Sequence, residues 1–204
     1  MKTIYISERV FLFIKWGSIC LTTFLVVFYP IDYFTSTRSL SFNVALPVDR
    51  LMPYCGSMFY VYAAALLLPF FVPLLAACPG AIKAWGRKMV VAILVSGIIF
   101  LIFPVYNDRG IAGAAATDFS ALMVIIAGKH NFLPSLHVSL SLITLKACWR
   151  KSHVLLQAWL VSLAILMIAS TLLTWQHYFA DVIAAIVVFV SIEVAFKRKP
   201  TWRQ

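Results

Sequence analysis

Six apolar stretches, each about 20 residues long, run through this chain of 204 residues and limit what it can fold into. Their predicted bounds are 9–30, 57–78, 87–106, 132–148, 153–174 and 177–196. Hydrophobic residues make up 63% of the chain and charged residues 12%, which excludes an ordinary soluble domain. The sequence therefore predicts an all-α integral membrane protein built as a six-transmembrane-helix bundle. No repeat or soluble linker divides it, so residues 1–204 are predicted to form a single membrane domain.

Lysine and arginine are unevenly shared between the loops on the two sides of the membrane. With six spans, both termini lie on one side, and most of the 17 basic residues fall there. The other side holds Arg38, Arg50, Arg109 and Lys129. Because cytoplasmic loops are enriched in basic residues, the termini are predicted to be cytoplasmic, in a plasma or bacterial inner membrane. Outer loops 31–56 and 107–131 then face the other side, and topology accounts for the net charge of +10 without a nucleic acid partner.

Two short motifs carry ionisable groups in a chain that is otherwise almost entirely apolar. The first is Asn131–His137, with the sequence NFLPSLH, and the second is Ser170–Asp181, with the sequence STLLTWQHYFAD. Ionisable side chains near a membrane core are costly and usually mark a functional site. Counting spans puts both motifs at the outer face, so we expect them to meet there.

The residue types and spacing of the motifs suit phosphate chemistry. His177 and Asp181 are four residues apart at a predicted helix start, so they share a face. An aspartate that accepts a proton from one imidazole nitrogen fixes the tautomer and makes the other nitrogen a better nucleophile. Pro134 and Ser135 mark a helix N-terminus, whose free amides bind anions, and Ser135 adds a hydroxyl donor. His137, within one turn, is placed to protonate a leaving oxygen.

Together the motifs resemble those of the type-2 phosphatidic acid phosphatase superfamily, which carries P-S-x-H and S-R-x5-H-x3-D on a six-span bundle. The resemblance implies that His177 attacks the phosphate and forms a phosphohistidine, while Asp181 orients it. His137 would act first as the acid and then as the base. Ser135 and Ser170 would help to hold phosphate oxygens, and no metal or other cofactor is implied.

The chain departs from the superfamily pattern in its basic residues. Thr171 stands where the family has an arginine, and the family's K-x6-R-P motif is absent. The phosphate-binding cation must come from elsewhere, and Arg109 is the candidate, with Lys129 behind it. In this respect the chain looks like the inositol phosphorylceramide synthase branch of the superfamily, whose members also lack this arginine. Residues 49–53, which lead into Tyr60-Val-Tyr62, are loosely similar to the same branch.

These features predict a membrane-embedded lipid phosphatase that hydrolyses a lipid phosphate or diphosphate on the extracytoplasmic side. If an alcohol takes the place of water, the same site makes a lipid phosphotransferase. The non-enzymatic alternative is a lipid-binding or lipid-moving protein with a degenerate site. A bis-histidine haem protein is disfavoured, because a His–Asp pair and a Pro-Ser helix start have no role in binding haem. Phosphatidic acid, phosphatidylglycerophosphate, a polyprenyl diphosphate, lipid A and a sphingolipid acceptor all fit the motifs.

Overall fold

The computed structural model describes residues 2–109, 118–128, 130–149 and 153–197. Within these ranges the chain is helical, with isolated bridges in place of strands, so the predicted all-α class is confirmed there. The α-helices are α1 (Lys2–Ser36), α2 (Met58–Ala64), α3 (Val72–Leu75), α4 (Pro79–Ile102), α5 (Asp118–Ala127), α6 (Leu136–Cys148), α7 (Val154–Leu173) and α8 (Phe179–Lys197). Two 3₁₀ helices cover Pro47–Leu51 and Ala65–Phe71.

Five helical segments of the described chain are long and apolar enough to cross a membrane, which supports a multi-pass integral membrane protein. They are Ile6–Ser36, Met58–Leu75, Pro79–Ile102, Val154–Leu173 and Phe179–Lys197. The second of these joins α2, a 3₁₀ helix and α3, and is called the second span below. Pro69 lies in its 3₁₀ part and Pro73 in α3, and prolines lack the amide hydrogen that a regular α-helix needs.

The predicted span 132–148 is the exception, so six full spans are not confirmed. Its helix, α6, has 13 residues and is about 20 Å long, against a hydrocarbon core of about 30 Å. The helix begins late because Ser135 is its N-cap, with the Ser135 hydroxyl accepting from the amide of Val138 at 3.4 Å. Helix α6 is instead an inner element, packed against α4, α7 and α8.

Helix α1 lies directly along α4, because two glycines of α4 let the backbones approach. A Cβ on Gly86 would lie 2.5 Å from Trp16, and one on Gly97 would lie 2.4 Å from Val27. Trp85, beside the first of these glycines, is fully buried in the main core with residues of α6, α7 and α8. These packed helices form the wall against which the site is built.

Backbone hydrogen bonds join three loop segments at the end of the bundle where α1 and α4 finish. The amide of Phe42 donates to Pro104 at 2.9 Å, and the amide of Tyr106 donates back to Phe42 at 3.0 Å. The amide of Val105 donates to the carbonyl of His130 at 3.1 Å. Because His130 immediately precedes the first motif, these bonds bring both loops to the same end as the motifs.

Candidate active site

The two sequence motifs lie against each other at this end of the bundle. The amide of Ser135, at the start of α6, donates to the carbonyl of Asp181 in α8 at 3.2 Å. The imidazole rings of His137 and His177 have centroids 6.3 Å apart. The prediction that the two motifs meet is therefore confirmed.

His177 and Asp181 make the predicted pair, but not as neighbours on a helix face. Helix α8 begins at Phe179, so His177 precedes it. The Asp181 carboxylate turns back over the start of the helix. Its Oδ2 lies 3.3 Å from Nδ1 of His177 and accepts from the amide of Tyr178 at 2.8 Å. With Nδ1 donating to the carboxylate, Nε2 of His177 is the nitrogen left for reaction.

Burial of the Asp181 carboxylate in this position is energetically unfavourable. Its side chain is fully buried, and its Oδ1 has no hydrogen-bond partner within the described residues. Burying a carboxylate that is only partly bonded costs several kcal/mol, about 1–3 for the unmade hydrogen bond alone. Native proteins keep such groups where function requires them, so the carboxylate supports a functional reading of His177.

His137 is held by a residue that the sequence analysis did not include in the site. The Tyr62 hydroxyl lies 3.0 Å from Nδ1 of His137, and the two rings stack with centroids 4.1 Å apart. Tyr62 comes from the second span and is 2% exposed. A phenol both donates and accepts, so it can bond Nδ1 in either tautomer. This contact fixes the ring through Nδ1, so Nε2 of His137 is the nitrogen available for other contacts.

We expect Tyr62→Phe to lower kcat about tenfold while KM for a lipid phosphate changes little, because the ring stays stacked but loses its hydrogen bond. Steady-state kinetics on the purified variant measure this split. Tyr60→Phe, at the exposed tyrosine two residues earlier, is the matched control and should behave as wild type. An unchanged kcat in the Tyr62→Phe variant would contradict the role expected for Tyr62.

The two serines proposed as phosphate ligands are engaged with backbone groups. Besides accepting from Val138, Ser135 is fully buried as the N-cap of α6. The Ser170 hydroxyl donates to the carbonyl of Met167 at 2.7 Å and is also fully buried. To donate to a phosphate oxygen, the Ser170 hydroxyl must rotate away from that carbonyl.

Of the two proposed cations, Arg109 and Lys129, the structure describes only Arg109. The Arg109 guanidinium donates to the carbonyls of Asp49 and Met52, and its carbon sits 4.4 Å from the ring centroid of Trp175. Arg109 therefore holds the loop just before His177, and phosphate binding by this side chain stays a prediction. Lys129 lies outside the described residues.

The loop between α7 and α8 is held in a strained conformation. Trp175 has a φ of 58°, which costs a residue other than glycine about 1–2 kcal/mol. The Asn107 side chain compensates by donating to the carbonyls of Trp175 and Gln176, at 2.9 and 3.0 Å. The indole of Trp175 donates to Met52 at 3.0 Å. This set of bonds determines where His177 lies.

Tyr178 makes a further hydrogen bond between the loop before α8 and the loop after α4. Its hydroxyl donates to the Asp108 carboxylate at 2.7 Å. Burial of the ring, and then this hydrogen bond, raise the pKa of Tyr178 well above its usual range, so the phenol stays protonated and keeps donating. The residue beside His177 is thereby anchored to the loop that carries Arg109.

Asp49 connects the first outer loop to the start of α8. It is 2% exposed, its Oδ1 accepts from the amide of Phe179 at 2.9 Å, and its Oδ2 accepts from the amide of Leu46 at 2.6 Å. Each oxygen satisfies a backbone donor, and the first one caps α8 from outside the helix. From the sequence, Asp49 was noted only within residues 49–53, which are loosely similar to a known branch. No site role was predicted for Asp49, because no local pattern indicates a contact with a residue 130 positions away.

We expect Asp49→Asn to destabilise the protein by about 1–3 kcal/mol, because one of the two amides would then face an NH₂ group instead of an acceptor. The midpoint of thermal unfolding in detergent, followed by tryptophan fluorescence, should fall. Arg50→Gln, at the exposed neighbouring position, is the control and should leave the midpoint unchanged. Equal midpoints for Asp49→Asn and wild type would show that the cap contributes nothing.

A cavity of about 650 Å³ reaches both imidazoles, and its wall also includes Tyr62 and Asn131. The side-chain amide of Asn131 donates to the carbonyl of Phe28 at 2.8 Å.

Within the described ranges, histidine, cysteine, aspartate and glutamate side chains form no group of three that could hold a metal ion. No protein-family model, curated protein or solved structure matches this chain.

Proposed function

We propose that this chain is a membrane enzyme that transfers the phosphoryl group of a lipid phosphate to His177 and then to water. One observation carries the proposal. Two imidazoles lie 6.3 Å apart at the end of a mostly apolar cavity, and each is fixed through Nδ1. The Asp181 carboxylate fixes His177 and the Tyr62 phenol fixes His137, so the reactive nitrogens are preorganised. The resemblance of the motifs supports the same assignment.

In the first step, Nε2 of His177 attacks phosphorus while the bond to the lipid oxygen breaks. Protonated His137 donates its Nε2 proton to that oxygen, so the lipid leaves as an alcohol. In the second step, His137 takes a proton from water as the water oxygen attacks phosphorus and the bond to His177 breaks. Phosphate leaves, His177 is restored and His137 is protonated again. Asp181 stabilises the positive charge on the phosphorylated ring.

The phosphate group needs positive potential, and the start of α6 supplies part of it. The first-turn amides of Leu136 and His137 lie at a helix N-terminus, which carries about half a positive charge. Arg109 and Lys129 are the cations that we propose for the rest. We propose that the site faces the extracytoplasmic side, because basic residues are concentrated in the predicted loops at the opposite end.

Purified protein in detergent tests the proposal with a panel of phosphatidic acid, phosphatidylglycerophosphate and a polyprenyl diphosphate. With EDTA present, we expect inorganic phosphate to be released and vanadate to inhibit its release. Adding inositol or another alcohol separates hydrolysis from transfer, since a transferase forms a new phosphodiester or phosphomonoester of that alcohol. If neither phosphate release nor exchange occurs with any lipid of the panel, the enzymatic proposal is wrong and lipid binding is favoured.

A further inference from the structure

The cavity that reaches the two histidines extends far beyond them. Its mouth lies between α1 and the second span, where lining residues such as Leu21, Leu25 and Leu66 are about half exposed. Its back wall is formed by buried residues of α4 and α6, including Met89 and Ile93. The cavity is therefore open sideways, toward the bilayer in a membrane-spanning bundle, and its only imidazoles among the described residues lie at one end.

The opposite end is lined by three aromatic rings, called the aromatic floor: Phe13, Phe70 and Trp85. The ring of Phe13 lies edge-on to Phe70, with centroids 5.7 Å apart, and stacks on Trp85 at 5.9 Å. These contacts connect α1, the second span and α4. The indole of Trp85 donates to the Thr144 hydroxyl in α6 at 3.1 Å, which holds the floor in place. The floor thus marks the end of the cavity that lies away from the histidines.

The distance from the floor to the histidine end is sufficient for a hydrocarbon chain that crosses one leaflet of a membrane. Phe13 of the floor and Phe28 near the histidines both line the cavity, and their fifteen-position separation on α1 corresponds to about 22 Å along the helix. Half of the hydrocarbon core of a bilayer is about 15 Å. A lipid that offers its phosphate to the histidines can therefore lay one chain along the cavity as far as the floor.

Gly17 shows that the inner part of the cavity is kept open. A Cβ there would have no heavy atom within 4 Å, whereas Gly86 and Gly97 are required by the close packing of α1 on α4. Glycine inside a helix is less stabilising than alanine, and helix packing does not account for this one. A slot that must stay wide enough for a chain does account for it.

We propose that this cavity binds one hydrocarbon chain of the lipid phosphate, entering sideways between α1 and the second span, and that Gly17 and the aromatic floor set the chain length accepted. The identity of the phosphate headgroup rests on the function proposed above. The chain site itself rests on the shape and lining of the cavity, so the two can fail separately.

Gly17→Leu tests the proposal, with hexyl phosphate and hexadecyl phosphate as probes. The leucine fills the inner part of the slot and favours the helix, so the thermal midpoint should hold or rise. Turnover of hexadecyl phosphate should fall at least about tenfold relative to hexyl phosphate, each compared with wild type. Val26→Phe is the matched control on α1. Val26 is 66% exposed and does not line the cavity, so this variant should keep the wild-type ratio. An unchanged ratio in Gly17→Leu overturns the proposal.

A photolabelling measurement does not depend on turnover. Hexadecyl phosphate with a diazirine at the end of its chain should label Phe13, Phe70 or Trp85, equally in wild type and in His177→Ala. Gly17→Leu should remove this label. Labelling of the floor in a protein that turns over no lipid phosphate would support the chain site while refuting the enzymatic proposal. Labels scattered over the outer surface of α1, with none on the floor, would refute the chain site.

Discussion

Replacing His177 with alanine is expected to lower kcat for a lipid phosphate by about 10⁴-fold or more, because the proposed nucleophile and its paired carboxylate would act as one unit. The variant keeps the cavity and the helix N-terminus, so KM should change far less than kcat. Turnover of the preferred lipid by the purified variant measures the effect. His153→Ala, at an exposed histidine before α7, is the matched control and should retain wild-type turnover.

The phosphohistidine proposed at His177 allows a second, independent test of the role of this residue. Rapid quenching of the wild-type protein with radiolabelled lipid phosphate should leave a protein-bound label that is lost in acid and survives in base, as for a phosphohistidine. His177→Ala should carry no such label. Full activity in this variant, or a label that persists without His177, would show that another residue receives the phosphoryl group.

Hydropathy predicted the helical class and the five segments that are long and apolar enough to span a membrane, but not how each segment behaves. Apolar composition alone does not distinguish a helix that faces lipid from one buried among other helices. The segment 132–148 shows this, since its helix α6 is short and packed inside the bundle. The break in the second span follows from Pro69 and Pro73, whose positions were visible in the sequence. How the chain passes through such a break depends on packing.

For the site, spacing predicted which groups would pair, and packing decided the geometry. Asp181 bonds His177 by turning back over the first residues of α8, a contact that four-residue spacing permits without a shared helix face. Tyr62 and Asp49 were not predicted as site residues, because their contacts join residues 75 and 130 positions apart. No local pattern signals such a contact. The motifs therefore predicted which groups pair, and the residues that hold them in place were found only in the fold.

Replacing His137 with glutamine should remove the proposed general acid and produce an effect that depends on the leaving group. An alkyl alkoxide is a poor leaving group and needs protonation, so turnover of hexadecyl phosphate should fall about 10²–10⁴-fold. A nitrophenolate leaves without a proton, so formation of the phosphoenzyme from nitrophenyl phosphate should change little. Burst kinetics measure that first step separately from the hydrolysis that follows.

The second step, hydrolysis of the phosphoenzyme, should also differ between His137→Gln and wild type. Without His137, water has no base to take its proton, so the phosphoenzyme formed from nitrophenyl phosphate should accumulate and decay slowly. The burst should therefore persist while steady-state release of nitrophenol falls, a pattern that misfolding cannot produce. His153→Gln carries the same substitution outside the site and should match wild type in both phases. Equal losses on the alkyl and nitrophenyl esters in the first step would show that His137 binds or positions the phosphate instead of donating a proton to the leaving oxygen.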